Sequence, residues 1–336
     1  MIEIEEQDIK GHWKNKYNEI PVVSIRCMVY NQVDYLEKTL DGFIMQITDF
    51  PFEVIIHDDA STDGSAELIR QYENKYPSII KAIYETENQY SKGKGLISKI
   101  VRPYLSGEFI AFCEGDDYWI DKYKLQKQID YMQSHPKCGL CYTNFDMYYQ
   151  KQNRFIHDIL RTQTNSFPSD YTIDKWLINP GYTAPMTWVF RKEIFDSLPS
   201  IKTVDGTCVW FAHFLVNSDV FCLKDDTTAV YRVLPESVSH TRYLNKAYNR
   251  NKKLHEVSLT MVKIYKLSEI TKQQIDINYY SKTYIQIALM NDSIELDKAK
   301  KYNKSIKKRI IIFLLKVPPI RCFFRWIWKM KQIIRE

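Results

Sequence analysis

Residues 112–119 read FCEGDDYW, and three carboxylates, Glu114, Asp116 and Asp117, fall within four positions directly behind an apolar run, FIAF. Like charges that close repel, and each resists ionising beside its neighbours. A divalent cation would cancel the charge. Carboxylate oxygens suit Mg2+ or Mn2+, and Mg2+ takes one or two of them and fills its shell with waters and phosphate oxygens. The competing explanation is a solvated turn leading into a helix, because acids favour helix N-termini. A second acidic stretch, DDASTDGS at 58–65, also ends an apolar run. A carboxylate there can accept from a ribose hydroxyl or a base N–H, or it can simply cap a helix. Gly64 allows a tight turn before that helix. Neither a GxGxxG after the first apolar run nor a GxxxxGK[ST] occurs in the chain, which disfavours a dinucleotide-binding fold and a nucleotide-hydrolysing phosphate loop.

Both stretches must be held by elements that the hydrophobic pattern marks out. PVVSIRCMVYN, from Pro21, reads as a buried strand ending at Tyr30-Asn31, and YLEKTLDGFIMQ places Tyr35, Leu36, Leu40, Phe43 and Ile44 at helical spacing. FEVIIHDD, IIKAIYET and GEFIAFCE read as further strands, separated by helices in STDGSAELIRQYENKY and LISKIVRPYL. DKYKLQKQIDYMQSHP is a helix closed by His135-Pro136. Strict alternation of strand and helix implies a parallel sheet with right-handed crossovers, and such sheets bind ligands at the carboxyl ends of their strands. Three strand ends are polar: Tyr30-Asn31, Asp58-Asp59 and Glu114 to Asp117. All three are expected in one crevice. Beyond 140 the pattern is mixed: CGLCYTNFDMYY and APMTWVFR read as strands, DGTCVWFAHFLV as a helix, and DVFCLKDDTTAVYRV as two strands with Asp225-Asp226 in the turn between them. From about 241 the periodicity is helical, broken at Pro318-Pro319.

The 336 residues, 45% apolar and 26% charged, suit a globular protein of one large or two medium domains. Tyr (24) and Trp (7) are plentiful enough for a ligand with a flat or amphipathic surface, although a large core explains them as well. Seven cysteines without regular spacing argue against a disulfide framework, and Cys138 and Cys141 form a lone CxxC that favours core packing over zinc or redox chemistry. The start, MIEIEEQDIK, has no apolar segment of the secretory kind, so a cytoplasmic location is expected. Net charge is +6, but residues 301–336 hold eleven Lys or Arg against one Glu, so the body is mildly acidic and the tail strongly basic. The tail proper, 305–336, mixes Lys and Arg with Ile, Leu, Phe and Trp. It is expected to lie on a membrane surface; nucleic acid and plain packing on the body are the competing explanations.

Taken together, PVVSIRCMVYNQVDYLEKTLDGFIMQ, FEVIIHDDASTDGS, GEFIAFCEGDDYW with its KLQKQ helix, and TVDGTCVWFAHFL resemble the inverting family 2 glycosyltransferases, in order and spacing, over about 21–240. The resemblance implies an α/β GT-A fold with a mixed, mostly parallel sheet. A nucleotide-sugar half would span 21–135 and an acceptor half 136–240, after an N-terminal extension at 1–20 and before a helical region at 241–336. It implies transfer of a sugar from a nucleoside-diphosphate donor, by default UDP-linked, to a glycan or lipid-linked acceptor in cell-surface polysaccharide synthesis. Mn2+ or Mg2+ would assist. Carried over residue by residue, Tyr30, Asn31, Asp58 and Asp59 would hold the nucleoside. Asp116, with Asp117 and Glu114, would hold the metal, Glu114 standing where the family usually has Asp. Lys94, in the GKG loop, and Arg232 would meet phosphate, and Asp205 would be the catalytic base. The family's His after the Tyr-Arg pair is replaced by Leu234, with His240 further along. His57 acquires no role. A nucleotidyltransferase, or a non-catalytic carbohydrate- or membrane-binding protein, is the alternative.

Overall fold

The computed structural model describes residues 3–14, 20–93, 95–162, 171–201, 206–234, 243–303 and 305–334, with side chains up to Met330. Lys94, Asp205 and His240 therefore lie outside the described residues. Two compact units are present: 1–170 with 181–199 and 213–234, and 171–180 with 200–212 and 235–336. The segments 171–180 and 200–212, read from sequence as part of an acceptor half, group with the C-terminal helices.

The first unit holds one sheet. Its strands are β1 (Val23–Val29), β2 (Phe52–Asp58), β3 (Ile80–Tyr84), β4 (Phe109–Phe112), β5 (Tyr118–Trp119), β6 (Cys138–Tyr149), β7 (Arg154–Ile156), β8 (Val189–Arg191) and β9 (Asp219–Val233). The order is β3-β2-β1-β4-β8-β6-β9-β5, with β7 on β6. β1 pairs in parallel with both β2 and β4, and the long β6–β9 ladder is parallel too; β8, β5 and β7 add the antiparallel pairs. The helices are α1 (Glu6–Gly11), α2 (Val33–Ile44), α3 (Ser65–Lys75), α4 (Gln89–Lys92), α5 (Leu96–Val101), α6 (Lys124–Ser134), α7 (Ile159–Thr162), α8 (Ile173–Ile178), α9 (Lys192–Asp196), α10 (Gly206–Asn217), α11 (Leu244–Ile264), α12 (Glu269–Met290), α13 (Ser293–Tyr302), α14 (Ile306–Leu314) and α15 (Pro318–Ile334).

β1, β2 and β4 carry Val23, Ile25, Val54, Ile55, Ile56, Phe109 and Phe112, as strands covered on two sides require, with Ser24, Arg26, Glu53 and His57 buried among them. Their residues are almost all buried. α2 follows its predicted period and buries Leu36, Leu40, Phe43 and Ile44. The sheet order reverses direction at β1, between β2 and β4, which opens a crevice at the carboxyl ends of those strands.

The predicted pair of strands in DVFCLKDDTTAVYRV is instead one strand. β9 runs through, but its partners on β6 jump from Leu223 opposite Thr143 to Thr227 opposite Asn144. The extra residues bulge outward, and Asp226, assigned to a turn, pairs with Lys127 on α6 at 2.6 Å. Cys138 and Cys141 are buried free thiols in β6. Burial pushes Cys138 up to about 11.

In the second unit, α11, α12 and α13 join through polar caps: Ser268 accepts from Thr271 N at 3.1 Å and Asp292 from Glu295 N at 3.1 Å. Tyr279, Tyr280, Ile287, Leu296, Ile312 and Leu315 belong to its core. His255 lies flat against Tyr279 there, with Nε2 2.8 Å from Asp276. Among the described residues no helix is long and apolar enough to cross a membrane.

Candidate functional site

The strand ends are level. Val29 closes β1 opposite Asp58 in β2, Asp59 N donates to Val29 O at 2.9 Å, and Gly115 N donates to Met28 O at 3.0 Å. Tyr30, Asp58 and the acidic loop after β4 therefore sit side by side at the sheet's reversal point. Tyr30 keeps 49% of its surface exposed.

Two loops are sewn together beneath it. Asn31 adopts φ 51, donates N–H to Ser61 Oγ at 2.9 Å, and accepts from Thr62 N at 2.8 Å. Val33 N donates to Asp63 at 2.9 Å and Gln32 N to Ser65 Oγ at 3.0 Å. Gly64, at φ 100, turns the chain into α3 in the left-handed region that side chains avoid. Asn31 thus acts as a brace between loops.

The two neighbouring acids, Asp58 and Asp59, behave differently. Both Asp59 oxygens cap α4, accepting from Gln89 N at 2.6 Å and Tyr90 N at 3.1 Å. Asp58 is equally buried, but only Oδ2 is used, by Ser61 N at 3.3 Å; Oδ1 accepts nothing. A buried acceptor without a donor costs free energy unless a ligand supplies one.

The acidic loop is fixed from both sides. On α2, the buried Thr39 hydroxyl contacts Asp117 O at 2.6 Å and Gly115 O at 3.0 Å. From β9, Arg232 N donates to Asp117 Oδ1 at 2.8 Å and its guanidinium to Asp116 O at 2.6 Å. That guanidinium lies between the rings of Tyr35 and Tyr118, 5.0 and 4.8 Å from their centroids. Burial pushes the Asp117 carboxyl well above the usual range, the Asp116 charge adds to the rise, and Arg232 opposes it. Glu114 has a different neighbour. Arg26, on β1, is buried against the Phe112 ring and approaches Glu114 Oε1 at 3.7 Å. Desolvation raises the Glu114 carboxyl, Arg26 lowers it, and Asp116 raises it again.

A Cβ on Gly115 would stand 2.5 Å from Gln32 Oε1 and 3.1 Å from Val29 Cγ2, so a side chain there would displace the Gln32 amide from the crevice. Gln32 Oε1, His57 Nδ1, Asp58 Oδ1 and Arg232 Nε are all buried without a hydrogen-bond partner. All four belong to the strand-end region, where a bound ligand can satisfy polar atoms. His57 itself is wholly buried and turns Nε2 to Glu85 at 3.3 Å.

No three His, Cys, Asp or Glu among the described residues converge as a self-sufficient metal cage. The residues fit a cation that takes one or two carboxylates and completes its shell from phosphate. In the acidic loop, Glu114 faces Arg26 and Asp117 is held by Arg232. Sequence reasoning missed Gln32, Thr39 and Arg26. Only Arg26 carried a signal: a cation in the middle of a buried apolar strand.

The glycosyl transferase family 2 model matches residues 24–198. An uncharacterized protein of Mycobacterium tuberculosis is 32% identical over 67% of this chain, which spans 62% of that relative's length. The UDP-Glc:alpha-D-GlcNAc-diphosphoundecaprenol beta-1,3-glucosyltransferase WfaP of Escherichia coli is 32% identical over 37% of this chain and 46% of its own. Among solved structures, S. aureus TarS 1–349 in complex with UDP-GlcNAc superposes with a TM-score of 0.61 at 17% identity, covering 92% of this chain and 88% of that one. The mannosyltransferase PcManGT from Pyrobaculum calidifontis, in complex with GDP-Man and Mn2+, gives 0.55 at 15% identity over 94% and 86%. The fold is the GT-A fold expected from the sequence, and the chain belongs to glycosyl transferase family 2.

Proposed function

We propose that this protein transfers a sugar from a nucleoside-diphosphate donor, UDP-linked by preference, to a hydroxyl of a glycan or lipid-linked acceptor in cell-surface polysaccharide synthesis. The observation that carries the reading is the unpartnered Asp58 Oδ1, level with Tyr30 and with an acidic loop pinned by Thr39 and Arg232. The UDP-GlcNAc complex of TarS supports the donor class, and the diphosphoundecaprenol named for WfaP supports a lipid-linked acceptor.

Asp58 Oδ1 accepts from a base N–H or ribose hydroxyl, and the exposed Tyr30 ring covers the nucleoside. Asn31 and Asp59 hold the loops around it. Asp116 is the principal carboxylate toward Mn2+ or Mg2+, and Glu114 and Asp117 shape the loop that presents it. A bound divalent cation supplies positive charge against the diphosphate leaving group. The Arg232 guanidinium adds fixed positive charge behind the same loop. Asp205 takes the proton from the acceptor hydroxyl and Lys94 meets phosphate; both roles rest on family position. A single displacement inverts the anomeric carbon. The reaction takes place at the cytoplasmic face of the membrane.

The test is UDP release from a panel of UDP-sugars with Mn2+, compared between the parent, Asp116→Ala and Asp205→Ala, with the product anomer read by NMR. Loss of turnover in both variants and an inverted product support the reading. Pyrophosphate in place of UDP would assign the protein to nucleotidyl transfer, and turnover that survives both substitutions would remove these residues from the site.

A further inference from the structure

α14 is apolar on two opposite sides. One side is accounted for: Ile312 and Leu315 are buried in the core of the second unit and Ile311 packs against it. The other side is not. Ile306, Ile310, Phe313, Leu314 and Val317 follow one another at helical spacing along a single stripe, and all are exposed, Ile306 at 75% and Phe313 at 70%. α15 repeats the arrangement. Ile320 and Trp328 pack on the same core, while Phe323, Phe324 and Trp326 stand in solvent, with Phe323 stacked on Trp326 at 6.1 Å.

Charge is equally one-sided. Residues 305–334 contain eight Lys or Arg and no Asp or Glu. Four of the cations tie the helices down through neutral oxygens: Lys308 to Ser281 O, Arg309 to Asn303 O, Arg321 to Asn291 Oδ1 and Arg325 to Leu289 O. Such bonds fix the side chains and leave their charge uncompensated. Among the described residues, no cation of this segment makes an ion pair with a carboxylate.

We infer that α14 and α15 form a docking surface for an anionic lipid bilayer. Exposed Ile, Phe and Trp enter the boundary between headgroups and acyl chains, and the surrounding Lys and Arg meet lipid phosphate. A nucleic acid would use the cations and leave the apolar stripe in water. Neither helix is long and apolar enough to span the bilayer, so the surface lies on it. The inference does not depend on the sugar-transfer reading, and either can fail without the other.

The experiment is flotation of the full chain with vesicles of phosphatidylcholine alone and with added phosphatidylglycerol. The expected result is partition about tenfold stronger into the anionic vesicles, falling about tenfold in Phe313→Ser/Phe323→Ser/Trp326→Ser. Melting temperature and donor hydrolysis in solution should stay at parent values, because these three side chains are exposed. Lys307→Gln/Lys316→Gln/Lys329→Gln should lose the preference for anionic lipid. The inference is overturned if the parent does not float with anionic vesicles, or if it favours them no more than neutral ones. It is also overturned if the apolar variant floats as well as the parent, or if sedimentation shows a dimer that this variant dissociates.

Discussion

Asp117 and Arg232 are 115 positions apart in the chain, yet the Arg232 main-chain N–H donates to Asp117 Oδ1 at 2.8 Å inside the sheet. The bond joins the loop after β4 to the end of β9. Because the donor is backbone, it survives any change of the Arg232 side chain. Asp117→Ala should therefore leave a buried N–H unpaired and cost about 1–3 kcal/mol in a urea melt. Arg232→Met keeps that bond but loses the guanidinium contact to Asp116 O and the positive charge. Its turnover should drop by more than about tenfold, with a smaller loss of stability.

Asp58 and Asp59 should separate stability from binding. Asp59→Ala removes both of its hydrogen bonds to the first turn of α4, leaving only the Asn88 cap, and is expected to cost about 1 kcal/mol, seen as a lower melting temperature. Asp58→Ala loses only the long Ser61 N–H bond at 3.3 Å, so its melting temperature should fall less than that of Asp59→Ala, while the donor KM rises about tenfold or more. If the two variants show the same balance of effects, the proposed division of labour is wrong.

Glu114 and Asp116 should differ in metal response. Glu114→Gln takes a charge from beside Arg26 but also removes a carboxylate whose ionised form the fold disfavours, and with the side chain half exposed the two effects should leave stability within about 1 kcal/mol of the parent. The rise in melting temperature on adding Mn2+ with UDP should persist in that variant and vanish in Asp116→Asn. A Glu114 variant that no longer responds to Mn2+ would restore it as a ligand.

Lys124 gives a pH signature. It is wholly buried on α6, donates to Gln128 Oε1 at 2.8 Å, and burial pushes its ammonium down to about 7. The unfolded chain keeps that proton up to the ordinary lysine range near 10.4. Between those values the unfolded state binds more protons, so stability rises with pH. The gain is complete above the unfolded pKa and is lost as pH falls to the folded one. Its slope reaches about 1.4 kcal/mol per pH unit. Lys124→Met should flatten this part of the profile; equal slopes in parent and variant would show that the amine stays charged.

The elements were legible in the sequence because their causes are local. A run such as FEVII has to be a strand covered on both faces, and YLEKTLDGF carries its helical period within a dozen residues. Alternation of the two then dictated a parallel sheet, and with it the placing of Tyr30, Asp58 and Asp116 at strand ends. The partner of each acid was not legible. Asp59 is taken up by α4, 30 residues further on, and Asp117 by β9, while one oxygen of Asp58 is left without a partner. The bulge in β9 was hidden for the same reason. A strand's register depends on its partner, and KDD bulges because β6 offers no residue opposite 224–226. Sequence fixes which side chains reach the crevice through local periodicity; hydrogen bonds between distant segments, which exist only once the chain has folded, decide which of their oxygens remain for a ligand.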